Sequence, residues 1–82
     1  MEQRNCYHCM MKKHNGEITI YKYAPLDSDS IVYDVIRDFN DCYITFIKAK
    51  DACTAKLRFV NLVAEYKVEN HKYQLKQTLS KV

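Results

Sequence analysis

Two thiols and an imidazole form the one metal-like spacing in this chain: Cys6 and Cys9 are separated by two residues, and four more separate Cys9 from His14. Zinc takes four tetrahedral nitrogen or sulfur ligands, and thiolates at i and i+3 supply half of such a set. His8, Cys42, Cys53 and His71 are the other donors available to complete it, and no second Cys-x-x-Cys pair exists. The same dithiol carries redox chemistry in some folds, but there the first cysteine opens a helix after a strand, where the dipole lowers its pKa. Cys–His nucleophilic catalysis needs an oxyanion-binding loop, whereas the single glycine, Gly16, is committed to a turn. Seven tyrosines and ten lysines offer a different chemistry, stacking and phosphate contact. Tyr21 and Tyr23 with Lys12 and Lys22 make the densest such patch.

The Cys6, Cys9 and His14 spacing resembles that of the zinc-knuckle family over nine residues. It departs from that pattern where a fourth ligand five residues after the histidine would sit, because that residue is Thr19. The resemblance implies a zinc-supported nucleic-acid-binding protein with Cys6, Cys9 and His14 as ligands and Lys12, Tyr21 and Lys22 on the binding surface. This stands as the alternative reading of the chain.

The elements that must position these residues begin with a hairpin. Asn15-Gly16 is the strongest short turn signal, since a type I′ turn needs positive φ at both central residues. With those two at the tip, Lys12 faces Thr19 and Cys9 faces Lys22. Period-two alternation sets Tyr7, Cys9, Met11, Ile18 and Ile20 on one face and Cys6, His8, Met10, Thr19, Tyr21 and Tyr23 on the other. In a straight strand Cys6 and Cys9 point to opposite faces, so zinc requires the strand to break into a knuckle. Pro25 ends the hairpin. Ile31, Val32, Val35, Ile36 and Phe39 recur at helical spacing, which predicts a short acidic helix over 28–41, capped by Ser28 or Ser30. Residues 43–48 are β-branched and aromatic and predict a third strand.

From Lys50 to Val82 there is neither glycine nor proline. Asp51 is the expected N-cap of a long C-terminal helix. Leu57, Val60, Ala64, Val68, His71, Leu75, Leu79 and Val82 form one stripe along it, and Phe59, Leu62, Val63, Tyr66 and Tyr73 form a second. The expected fold is thus a single α+β domain over 1–82: a three-stranded antiparallel sheet, a short acidic helix and a helix about 45 Å long. One small domain cannot cover a helix of that length.

Charge is uneven along the chain. Residues 1–24 carry four basic and two acidic groups, residues 25–55 three and six, and residues 56–82 six and two. Such a bipolar chain suits a charge-patterned protein partner better than a nucleic-acid domain, which concentrates Lys and Arg on one face. No leader pattern follows Met1, no apolar run reaches the length of a bilayer, and four cysteines without an export signal read as thiols of a cytoplasmic protein. The expected function is non-enzymatic and cofactor-free: a small regulator that binds another protein, a second copy of itself included. Phe59, Leu62, Tyr66, Tyr73, Leu75 and Leu79 are the expected apolar anchors, with Lys72 and Lys76 on the rim. The abundance of residues with AT-rich codons favours a phage accessory protein acting on a host or lysis component as a special case.

Overall fold

The structure, a computed structural model, describes residues 4–24 and 30–80, the side chains of residues 73–80 excepted. Its elements are β1 (Asn5–Lys12), β2 (Ile18–Tyr23), β3 (Arg37–Asp38), β4 (Cys42–Ala49) and α1 (Ala52–Ser80). The strands form one antiparallel sheet in the order β2-β1-β4-β3. The α+β class is as expected, but the sheet has four strands rather than three.

The fourth strand replaces the acidic helix expected over 28–41, of which residues 30–41 are described. Asp34 has φ of 62°, a left-handed conformation that a right-handed helix cannot contain. The segment spends its polar groups on β4 instead. The Asp34 amide donates to the Phe46 carbonyl at 2.9 Å, and the Thr45 hydroxyl donates to the Val35 carbonyl at 2.7 Å. Arg37 and Asp38 then pair with Ile44 and Tyr43. Without these bonds the edge of β4 would present a bare row of amides and carbonyls. Of the apolar residues spaced as a helix, Ile36 packs against the core, while Val32, Val35 and Phe39 stay exposed.

The hairpin forms, in a register two residues from the expected one. Cys9 pairs with Ile20 and Met11 with Ile18. Among the described non-glycine residues only Asp34 has positive φ, so Asn15 does not take the conformation that a type I′ turn requires. The loop is four residues long, closed by the Lys12 amide on the Glu17 carbonyl (2.9 Å) and the Gly16 amide on the Lys12 carbonyl (2.8 Å). Gly16, at φ 72°, takes the left-handed position, and the Asn15 side chain accepts from the Glu17 amide at 2.9 Å. A shift of two residues leaves every side chain on its own face, so the expected division of faces survives.

Helix α1 is continuous and starts as expected. The Asp51 carboxylate accepts from the Thr54 amide at 2.7 Å and its carbonyl from the Ala55 amide at 3.1 Å. It lies across one face of β1, β2 and β4. Ala55, Phe59 and Val63 enter the core with Tyr7, Cys9, Ile47 and Ala49, and Met11, Ile18, Ile20, Tyr43 and Leu62 close its margin. Phe59 is wholly enclosed.

Candidate functional site

The segment with metal-like spacing is an unbroken strand. Cys6, His8 and Met10 lie on one side of β1, and Tyr7 and Cys9 on the other, under α1. Cys9 is fully buried, and burial first, with Cys6 second, pushes its thiol up to about 12. A thiol so reluctant to ionise is a poor nucleophile. His14 sits in the exposed hairpin loop. Cys6, Cys9 and His14 are therefore not brought together, and among the described residues no three His, Cys, Asp or Glu side chains form a metal-sized group. Cys42 is half-buried and Cys53 exposed, each a free thiol. Burial and then the neighbouring Asp41 raise the Cys42 pKa.

The two stripes of α1 have opposite fates. Of the expected anchors, Phe59 fills the centre of the chain's own core, and Leu62 packs against its margin. Tyr66 is half-buried over Tyr43, their ring centroids 5.9 Å apart, and donates its hydroxyl to Asp38 at 2.8 Å. Lys13 bonds the other oxygen of that carboxylate and lies 4.8 Å from the Tyr43 ring centre. The Lys13 bond, then the Tyr66 bond, holds the Asp38 carboxyl below the ordinary carboxylate range, and the bond to Asp38 raises both Lys13 and Tyr66. This cluster ties the hairpin loop, the edge strand and the helix together at one end of the sheet. Lys72 is exposed. The side chains of Tyr73, Leu75, Lys76 and Leu79 lie outside the described residues.

The other stripe faces away from the sheet. Leu57 is 64% exposed, Val60 40% and Val68 53%, and Ala64 and His71 between and beyond them are also exposed. At 100° per residue these positions centre about 145° around α1 from the centre of Ala55, Phe59, Val63 and Tyr66. A shallow groove of about 530 Å³, lined by Leu57, Arg58, Asn61, Leu62 and Glu65 among others, runs beside the stripe. Its spacing of three, four and four residues repeats every eleven, and Leu75, Leu79 and Val82 continue it in sequence. An eleven-residue repeat nearly matches the helical period, so the stripe runs almost straight down the helix.

The helix also outruns its support. Its last described contacts with the sheet are those of Tyr66 and Lys67, whose ammonium lies 5.5 Å from the Tyr43 ring centre, and every described side chain from Lys67 to Lys72 is exposed. The thirteen residues from Val68 to Ser80 project about 20 Å past that point. The molecule is correspondingly long, 54 × 28 × 21 Å, with a radius of gyration of 15.0 Å. A compact chain of this length has about 12 Å.

Both stripes were visible in the sequence, but their orientation was not. One signal separates them: a stripe facing eight-residue strands must stop where the strands do, as the Phe59 stripe does. The stripe that persists is the outward one. Among the described residues no helix is long and apolar enough to cross a membrane. Comparison of the chain with known protein families, curated proteins and solved structures finds no match.

Proposed function

We propose that this protein is a non-enzymatic binding protein that works by pairing the outward stripe of α1 with another polypeptide, a second copy of itself. The exposed line of Leu57, Val60, Ala64 and Val68 on a helix that projects beyond its sheet carries this reading. An isolated helical segment of about thirteen residues is marginal in water, and burying one apolar face is what stabilises such segments in proteins. The charges beside the stripe favour self-pairing. Positions 65, 69, 72 and 76 share one flank by helical spacing and read Glu, Glu, Lys, Lys. In an antiparallel pair centred near Asn70 and His71, the two glutamates of one helix stand against Lys76 and Lys72 of the other. Such a pair also sets the two sheets at opposite ends, where they do not collide.

The interface differs in membership from the one expected from sequence. Phe59 and Leu62 serve the chain's own core and Tyr66 the Asp38 cluster. In this reading Leu57, Val60 and Val68 take their place, and by sequence spacing alone Leu75 and Leu79 continue the line with Lys72 and Lys76 beside it. Regulation of a host or partner process would follow from what the paired helices or free sheets engage. Sedimentation velocity tests the pairing. The protein is expected to sediment as a dimer at high micromolar concentration, and Val68→Asp as a folded monomer. A wild-type monomer at that concentration overturns the reading.

A further inference from the structure

The sheet has a second face, and among the described residues no element packs on it. By strand register this face carries Cys6, His8, Met10 and Lys12 of β1, Thr19, Tyr21 and Tyr23 of β2, Arg37 of β3, and Cys42, Ile44, Phe46 and Lys48 of β4. Its centre is aromatic. His8 and Phe46 have ring centroids 5.0 Å apart, Tyr23 and Phe46 5.6 Å apart, and Tyr21 pairs with His8 one strand further out. Tyr21 is 57% exposed and Tyr23 46%. These strand positions include three cations and no carboxylate.

At one end of this face a cleft of about 570 Å³ opens where β4 runs into α1. Arg4, Lys48, Lys50 and Arg58 line it, with Tyr33 and Asp34. Asp34 holds Arg58 at 2.9 Å, and Lys48 lies 4.9 Å from the Tyr33 ring centre, which fixes its ammonium group at the cleft. Lys48 belongs to both the cleft and the aromatic face, so the two are continuous.

We infer that this face binds single-stranded nucleic acid: two or three bases stack on Tyr21, His8, Phe46 and Tyr23, and the phosphates pass through the Arg4, Lys48 and Lys50 cleft. Every base has a π-face, so such a platform tolerates sequence. Arg4, Lys12, Arg37, Lys48, Lys50 and Arg58 outnumber the two carboxylates beside them, Glu17 at 4.0 Å from Lys12 and Asp34 at 2.9 Å from Arg58, an excess that suits a polyanion. A protein partner would need apolar anchors with charges of both signs at the rim, and here both carboxylates, Glu17 and Asp34, are already paired with Lys12 and Arg58, which leaves a net cationic surface. Its stacking residues lie on the sheet face away from α1, so the inference stands or falls independently of the pairing through α1, although Arg58 borders both the cleft and the groove beside the stripe. It also needs no metal, unlike the zinc-dependent surface expected from Cys6, Cys9 and His14.

Fluorescence anisotropy with a labelled oligothymidylate of about twelve nucleotides, a typical single-strand site size, tests it. Binding is expected at low salt, with log affinity falling against log salt at a slope of about −2, as for three neutralised phosphates. Tyr21→Ala is expected to weaken binding about fivefold or more, Tyr21→Phe to leave it unchanged, and Lys48→Gln to reduce the salt slope. A matched duplex should bind more weakly than the single strand. No binding at low salt, equal binding of the duplex, or indifference to Tyr21→Ala each overturns the inference. So does loss of self-association in Tyr21→Ala, which would make this face a protein contact.

Discussion

Asp38 is the residue on which three elements converge. It accepts from Lys13 of the hairpin loop and Tyr66 of the helix, and both bonds are stronger to its ionised form. Its pKa is depressed on folding, so the stability it adds is present above the unfolded carboxylate value near 4 and is lost as pH falls through the folded value. Lys13 and Tyr66 have raised values, and their share is lost only as pH rises past about 10. Thermal melts of Asp38→Asn should therefore lie below wild type between about pH 5 and pH 9 and converge with it in acid. Equal melting at pH 7 would show that the cluster adds nothing. The thiols provide a second check at this scale. In the native protein a thiol reagent should modify exposed Cys53 first and Cys42 slowly, and should reach Cys9 only on unfolding, which peptide mapping of the labelled protein reads directly. Much of this was hidden in the sequence. The opposite faces of Cys6 and Cys9 followed from strand alternation alone, whereas nothing local marked Asp38, which meets Lys13 and Tyr66 only because β3 forms where a helix was expected.

Among the elements, local pattern was readable where neighbours did not overrule it. Alternation along residues 5–12 and 18–23 assigned each side chain to its face even though the register was two residues off, since an even shift preserves faces. Asp51 capped the long helix as its side chain suggested. The segment 30–41 is the counterexample: its apolar residues recur at helical spacing, yet β4 needed an edge partner and the segment supplied hydrogen bonds in place of a helix. The two stripes of α1 give this scale its sharpest contrast. Phe59→Ala should cost about 3–5 kcal/mol, as for other enclosed aromatics, a large part of the total stability of so small a domain. Val60→Asp, on the opposite face, should change monomer stability by less than about 0.5 kcal/mol in denaturant unfolding at low protein concentration. If Val60→Asp were the more damaging of the two, the assignment of inner and outer faces would be wrong.

At the scale of the whole molecule the helix is too long for the sheet beneath it, and this much was legible from the absence of glycine and proline between Lys50 and Val82. Sequence could not say which face of the surplus would be free, because the choice depends on how four strands of unequal length meet the helix. The radius of gyration, well above that of a compact chain, records the mismatch. Among the described residues two surfaces are left uncovered, an apolar helix stripe proposed to meet its own copy and an aromatic, cationic sheet face proposed to take a single strand. A molecule with both could hold two strands at the ends of one paired rod. Hydrogen exchange tests the central claim, that a second copy covers the projecting half of α1, by following the amides of residues 67–80 across protein concentration. Protection there should rise with concentration and disappear in Val68→Asp, while residues 55–63 stay protected throughout. Uniformly fast exchange of 67–80 at every concentration would contradict it.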